Sequence, residues 1–219
     1  MFLLENYIRN TMNFLPVKPR NNYMPPEQFA QVLEAIPSLK IRKWKDEDIQ
    51  MLFKCCYWFE LRFGECVRLK TEDFDLDVNE VLLGKTKTEK NDKAMIPAPF
   101  KTELAIWLSD KKGDLFPGLT YGTAIKWIER LGKQLNIISW TTPQSESGEK
   151  TKTHIFRKSI GKDMLLGTYG RKAALSVISK GLRHKGRNPL ATTIHYLKVD
   201  GEEVKDYWEE ESNDSQQKP

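Results

Sequence analysis

The chain of 219 residues has a mass of 25.5 kDa, and its 39% hydrophobic and 11% aromatic residues exclude a largely disordered protein. Its formal net charge is +5, but residues 200–219 hold eight acidic and two basic residues, so the other 199 residues, with 33 basic and 22 acidic ones, carry +11. No apolar run approaches the ~18 residues that a membrane span needs, and the N-terminus lacks the basic region of a signal peptide. We therefore expect a cytoplasmic protein without membrane contact, whose basic body favours a polyanionic partner such as nucleic acid.

The N-terminal half predicts helices followed by a small sheet. Residues 1–22 contain the extended segment "LPVKPRNN" and are expected to be a linker, and an apolar stripe predicts a helix in "MPPEQFAQVLEAIP". Apolar positions every three to four residues predict a second helix from Asp46 to a break near Gly64, followed by a short helix around Cys66. The segment 73–99 predicts a hairpin or a three-stranded sheet in which "EVLL" and "AMIP" flank a lysine-rich turn.

The C-terminal half predicts helices only. Amphipathic patterns cover residues 100–110 and "TYGTAIKWIERLGKQLNI", and a polar loop follows at 139–153. Thr153 is a candidate N-cap for the helix that contains "HIFR", and "RKAALSVISKGL" predicts another helix before a basic loop. Tyr196 lies on a final short element, after which we expect a partly disordered acidic tail. The predicted fold class is mainly α with a small antiparallel β-sheet, an α+β architecture.

The chain has only three cysteines, Cys55, Cys56 and Cys66. Two are adjacent, and the spacing matches neither a disulfide framework nor a metal-binding motif. We expect reduced thiols that face the core, with a redox or metal role as the minor alternative.

A set of cations and one tyrosine carries the chemistry that the sequence suggests, since no GxGxxG, GxxxxGK[ST], HExxH or CxxC pattern occurs. The candidate residues are Arg62, Lys85, Lys87, Lys90, His154, Arg157, His184 and Tyr196. Arginines bind the nonbridging oxygens of a phosphodiester with bidentate geometry, and preorganised cations stabilise a transition state that gains negative charge. A tyrosine can then be the nucleophile, and a lysine can protonate the leaving oxygen.

Five segments occur in the order found in one family. "LRFGECVRLK", "GKTKTEKNDKAMIP", "HIFR", "GLRH" and "ATTIHY" resemble the first arginine motif, the hairpin lysine, the HxxR box, the second-histidine motif and the nucleophile motif of the tyrosine recombinases, the phage integrase and Xer-type group. The resemblance covers residues 23–200 and implies the fold of that family's catalytic domain. It implies that residues 1–22 are a linker or the remnant of a core-binding domain, and that 201–219 form an acidic tail.

The resemblance implies a role for each matching residue. Arg62 and Arg157 would bind the scissile phosphate, and Glu65 would orient the first of them. Tyr196 would attack the phosphate to form a 3′-phosphotyrosyl link and release a 5′-hydroxyl. Lys87 would be the general acid, with Lys85 and Lys90 as alternatives in the same turn.

His154 and His184 would, by the same resemblance, assist proton transfer and phosphate binding. The residues expected to contact DNA are Lys85, Lys90, Lys158, Arg183, Lys185 and Arg187. The implied partner is double-stranded DNA, on which the chain would form a homotetramer from monomers in solution. No metal ion, cofactor or ATP is implied, because the phosphotyrosyl link conserves the energy of the phosphodiester.

The sequence departs from the family pattern in several places. Where relatives have Leu-Gly-His, the chain has Leu182, Arg183 and His184, and Arg183 is expected to face the DNA backbone. "KGRNP" lengthens the loop before Tyr196, which leaves the placement of the nucleophile open. The core-binding domain that clamps the opposite face of the DNA is not expected within these 219 residues, so the chain is a fragment or a minimal form.

The sequence also permits other functions. A type IB topoisomerase-like enzyme shares the chemistry but relaxes supercoils, and a non-catalytic relative would bind DNA without cutting it. Composition also permits a plain helical domain with a solvated, lysine-rich surface. His195 has no counterpart in the family motifs, and Tyr169 and Tyr207 are weaker candidates for the nucleophile.

Overall fold

The computed structural model describes residues 23–84, 92–141, 152–185 and 187–197, apart from the side chains of residues 138, 139, 195 and 196. Within these ranges the chain forms α-helices and one three-stranded antiparallel sheet, so the predicted fold class is confirmed. The predicted linker, the turn that carries Lys85, Lys87 and Lys90, and the acidic tail lie outside the described residues.

The described helices are α1 Pro26–Ala35, α2 Asp46–Trp58, α3 Phe63–Cys66, α4 Ala98–Leu108, α5 Tyr121–Gln134, α6 Ile138–Thr141, α7 His154–Leu166, α8 Leu175–Gly181 and α9 Pro189–Leu197. Short 3-10 turns cover Ile36–Leu39 and Thr71–Asp73. The strands are β1 Phe74–Asp75, β2 Glu80–Gly84 and β3 Asp92–Met95. None of the described helices is both long and apolar enough to cross a lipid bilayer.

Three local predictions differ from the structure. Helix α2 ends at Trp58, earlier than the predicted break near Gly64, because Glu60 adopts a left-handed backbone with φ of +52° that turns the chain. Thr153 precedes α7, but its backbone is already helical and its side chain makes no capping bond. Helix α6 begins at Ile138 and extends over residues 139–141 of the segment predicted to be a polar loop.

The sheet has one face on the core. β2 pairs with both neighbours, with Phe74 opposite Val81 and Val81 opposite Ala94. Val81 and Ala94 are buried, whereas Leu82 and Met95 are exposed, as the alternation of a strand requires. Gly84 pairs with Asp92, so the ends of β2 and β3 that flank residues 85–91 lie side by side.

Helix α2 runs through the core and contacts α7. Phe53 of α2 packs against Phe156 of α7 with ring centroids 5.0 Å apart, and Phe29 of α1 stacks on Tyr57 at 4.5 Å. The three cysteines are buried free thiols in this core, as the sequence predicted. The packing fixes the end of α2, where the first arginine motif begins, next to the helix of the HxxR box.

A smaller apolar cluster holds the C-terminal helices. Ile178, Leu182 and Leu197 are buried together, and they pack close to Gly161 of α7. A Cβ at Gly161 would lie 3.1 Å from Leu197 and 3.3 Å from Leu182, so a side chain there would push these helices away. Gly161 therefore allows α8 and α9 to approach α7.

Candidate active site

Arg62 lies at the start of α3 and is held by a buried carboxylate. Its Nη1 donates to Oε1 of Glu65 and its backbone N donates to Oε2, both at 2.8 Å. The Glu65 side chain is 4% exposed and that of Arg62 is 31% exposed. Burial acts to raise the pKa of Glu65, but the charge of Arg183 and the hydrogen bonds from Arg62 lower it below its ordinary value. The carboxylate is therefore ionised and orients the guanidinium.

Arg157 is the second guanidinium, on the first turns of α7. It is only 2% exposed, and its Nη1 donates to the backbone carbonyl of Glu60. His154, three residues earlier, is half-buried and lies on the same side of the helix. The left-handed turn at Glu60 directs its carbonyl toward α7, so the end of α2 fixes Arg157.

His184 follows α8, in the loop before α9. Its Nδ1 is 2.9 Å from Oγ1 of Thr193. Burial and then the charges of Arg157, Arg62 and Arg183 lower the pKa of His184 from its ordinary 6.5 to about 4. The structure thus brings His184 within the electrostatic reach of both predicted phosphate-binding arginines, and it holds the ring neutral at neutral pH.

Tyr196 lies on α9, whose backbone is described. Leu197, the next residue, is buried against α7 and α8. Thr193, three residues before Tyr196, is hydrogen-bonded to His184. These two contacts fix the last turn of α9 beside the histidine loop. Tyr169, a weaker candidate for the nucleophile, has its hydroxyl 2.7 Å from the hydroxyl of buried Tyr57.

Arg183, which was predicted to face the DNA backbone, is buried in the structure. Its side chain is 4% exposed, and Nη2 donates to Oε2 of Glu65 at 2.8 Å and to the Glu60 carbonyl at 3.1 Å. Nε lies 3.4 Å from Oδ2 of Asp92, at the start of β3. The structure thus gives this guanidinium partners inside the protein, and its contact with DNA stays a prediction.

The other residues predicted to contact DNA differ in their exposure. Lys158 is buried at 8% exposure, whereas Lys185 and Arg187 are exposed near the start of α9, and the DNA contacts of all three stay predictions. Lys87, the predicted general acid, and its neighbours Lys85 and Lys90 lie outside the described residues.

Glu60 is a site residue that the sequence analysis missed. Its side chain is buried between Arg157 and Arg183, and a Cβ at Gly181 would collide with its carboxylate. Burial raises the pKa of Glu60 to about 7, although both arginines act to lower it. The only sequence signal was the glycine at 181, which marks a close approach.

The residues fit an anion better than a metal ion. In the part of the chain that the structure describes, no three His, Cys, Asp or Glu side chains gather as a metal site requires. Arg62 and Arg157 instead both act electrostatically on His184, and each guanidinium can donate to an oxygen anion.

Solved structures with the same fold are recombinases and integrases. The XerH site-specific recombinase, in a post-cleavage complex with its palindromic difH substrate, matches with a TM-score of 0.62 and 21% identity over 90% of this chain and 55% of that one. The XerA recombinase matches with a TM-score of 0.60 and 19% identity over 91% and 68%. The catalytic domain of bacteriophage HP1 integrase matches with a TM-score of 0.57 and 16% identity over 85% and 93%.

These similarities show the class of fold: the chain has the catalytic-domain fold of the tyrosine recombinases and integrases, as the motifs predicted. The chain spans about half the length of the XerH recombinase and nearly all of the HP1 catalytic domain. No family model matches the sequence, and no curated protein is significantly similar to it.

Proposed function

We propose that this chain is a site-specific DNA recombinase or integrase that cuts and rejoins duplex DNA through a 3′-phosphotyrosyl intermediate on Tyr196. The observation that carries the proposal is the convergence of Arg62, Arg157 and His184 beside the helix of Tyr196. The two arginines and the histidine come from separate parts of the chain, and a structural role alone does not require them to meet.

In the proposed reaction, the Tyr196 hydroxyl gives up its proton, with His184 or His154 as the proposed acceptor, and its oxygen attacks the phosphorus of a phosphodiester. A bond forms between phosphorus and the tyrosine oxygen, and the bond to the 5′ oxygen breaks. Arg62 and Arg157 bind the nonbridging oxygens, where negative charge accumulates in the transition state. The leaving 5′ oxygen takes a proton from Lys87, or from the neighbouring Lys85 or Lys90.

Arginines held by partners within the protein are suited to this role because their positions are set before DNA binds. Glu65 holds Arg62 through two hydrogen bonds, and the Glu60 carbonyl holds Arg157. Preorganised donors contribute more than mobile ones, and loss of one such donor typically lowers the rate about 10²- to 10³-fold. The reverse reaction, in which a 5′-hydroxyl attacks the phosphotyrosine, rejoins the strand without ATP.

Double-stranded DNA is the proposed partner. The XerH recombinase was captured in a post-cleavage complex with its substrate, which supports the same class of substrate here. The basic body of the chain gives the attraction to phosphate that such binding needs. Strand exchange then requires several protomers, and we propose a monomer in solution, a tetramer on DNA and a cytoplasmic location.

Covalent capture tests the proposed function. The protein is incubated with a library of nicked duplexes and denatured in SDS, and DNA attached to protein is recovered and sequenced. We expect capture through a 3′-phosphate that Tyr196→Phe abolishes and Tyr169→Phe preserves. Capture that persists in Tyr196→Phe would move the nucleophile elsewhere, and tight binding without capture would favour a non-catalytic relative. Plasmid relaxation without site preference would instead favour the topoisomerase-like alternative.

A further inference from the structure

Thr193 makes two side-chain hydrogen bonds inside the protein. Its hydroxyl lies 2.8 Å from the backbone carbonyl of Pro189, one turn earlier in α9, and 2.9 Å from Nδ1 of His184. Thr193 is fully buried. The hydroxyl is therefore shut off from water, and these two protein atoms determine its hydrogen bonding.

The number of protons decides the direction of both bonds. A threonine hydroxyl has one proton to donate, and a carbonyl oxygen can only accept. When the hydroxyl donates to Pro189, its oxygen accepts from Nδ1–H of His184, and both contacts are hydrogen bonds. The opposite arrangement turns the proton toward Nδ1 and gives up the side-chain bond to Pro189 in a buried place. The geometry thus favours His184 with a proton on Nδ1.

We propose that Thr193 is a positioning residue that sets the tautomer of His184, so that Nε2 is the nitrogen that exchanges a proton in the active site. This inference rests on the proposed function for its catalytic consequence. The ring is neutral in the absence of DNA, since burial and three guanidiniums disfavour its charged form. In the neutral ring only one nitrogen is basic, so the identity of that nitrogen matters for proton transfer.

The same hydrogen bond joins the histidine loop to the helix of the proposed nucleophile. Thr193 precedes Tyr196 by three residues, so the two lie on neighbouring positions of one helix face. A shift of α9 would break the bond to His184, and a shift of the loop would pull on α9. Thr193 therefore holds the position of His184 and that of the last turn of α9 together.

Nitrogen NMR of the imidazole rings tests the tautomer directly, without any DNA. The full chain is labelled with ¹⁵N at its histidines, and His184→Gln identifies the signals of His184 among the three histidines. We expect the protonated nitrogen to be Nδ1 at neutral pH. In Thr193→Val, which has the same shape without the hydroxyl, the proton should move largely to Nε2, and Thr193→Ser should restore it to Nδ1. A proton on Nε2 in the unchanged protein, or an unaltered tautomer in Thr193→Val, would overturn the proposal.

Single-turnover cleavage of the captured duplex tests the consequence for catalysis. Thr193→Val should cleave roughly 10- to 100-fold more slowly, the scale of a proton-transfer contribution, and Thr193→Ser should stay within about threefold of the unchanged protein. Thr192→Val is the matched control, because Thr192 also bonds a carbonyl one turn back, that of Asn188, but is exposed. Equal rates in Thr193→Val and Thr192→Val would refute the positioning role.

The two experiments fail separately. If the unchanged protein forms no covalent product, the proposed function fails and the catalytic role of Thr193 fails with it, while the NMR result still decides the tautomer. If Thr193→Val disturbs the whole fold, the signals of His154 and His195 shift as well. Thr193→Ser, which keeps the hydroxyl, then gives the deciding comparison: a changed tautomer in this variant would count against the proposal.

Discussion

Arg183 and Glu65 form a buried ion pair in which Nη2 lies 2.8 Å from Oε2 and both side chains are 4% exposed. The same carboxylate holds Arg62. Arg183 adopts a left-handed backbone with φ of +49°, which costs a residue with a side chain about 1–2 kcal/mol. The ion pair accounts for an arginine at a position where the family motif has glycine.

Arg183→Gly should therefore destabilise the protein, although glycine suits the backbone conformation. Removing one partner of a buried ion pair costs about 3–5 kcal/mol, and relief of the left-handed strain returns about 1–2 kcal/mol. We expect a net loss of about 1–4 kcal/mol in the free energy of unfolding, measured by urea denaturation. The control is Lys40→Gly, at an exposed position with φ of +50°, which should be stabilising. A stable Arg183→Gly would mean that the ion pair contributes little.

Glu60→Gln should change how stability depends on pH. The pKa of the Glu60 carboxyl is raised from 4.5 to about 7, so the folded protein holds this proton more tightly than the unfolded chain does. The stabilisation from this bound proton is fully present below the pKa that the Glu60 carboxyl has in the unfolded chain. It is lost as the pH rises through about 7. The free energy of unfolding of Glu60→Gln, relative to that of the unchanged protein, should therefore increase by about 2–4 kcal/mol as the pH rises from about 4 to about 8.

Thermal and urea unfolding at several pH values measure this difference. Glu34→Gln removes one negative charge from the exposed side of α1 and is the control for net charge. A constant difference between Glu60→Gln and the unchanged protein across this range would show that Glu60 does not hold a proton on folding.

Leu197→Ala should impair cleavage more than it impairs the fold. Leu197 packs beside Gly161 of α7. It belongs to the small cluster with Ile178 and Leu182, apart from the main core. Substituting a buried leucine by alanine lowers the free energy of unfolding by roughly 2–3 kcal/mol at the lower end of the observed range. Because Leu197 lies in the smaller cluster, this loss should mainly weaken the packing of α9 against α7. We expect a roughly tenfold or greater loss in the rate of covalent product formation.

The control for that variant is Leu190→Ala, on the same helix but exposed. Hydrogen exchange of the α9 amides should accelerate in Leu197→Ala and not in Leu190→Ala. Unchanged exchange with reduced cleavage would place the effect elsewhere than in the docking of the helix.

Chelation should leave the reaction intact. In the proposed mechanism, Arg62 and Arg157 supply the positive charge at the phosphate, so no metal ion is required. Covalent product formed in excess EDTA should stay within about twofold of that formed with Mg²⁺. Loss of product on chelation, restored by added Mg²⁺, would contradict this mechanism. DNA binding without cleavage in EDTA would assign the metal to the chemical step.

Much of the fold follows from local patterns. The helices α1, α2, α4 and α5 were predicted because their apolar residues recur at helical spacing, and the β2–β3 hairpin because two short apolar strands flank a polar turn. The end of α2 was misplaced because the left-handed conformation of Glu60 depends on contacts with Arg157 and Arg183, which come about a hundred residues later.

The residues of the proposed chemistry are two arginines, the histidines and a tyrosine, and they could be predicted because their motifs are short and contiguous. The contacts that each of them makes depend on the folded chain. Glu65 and Arg183 are 118 residues apart and meet as a buried pair, and His184 meets Thr193 across a loop. Burial and ion pairing depend on which elements pack together, and for that reason Arg183, expected on the DNA-facing surface, lies inside the protein.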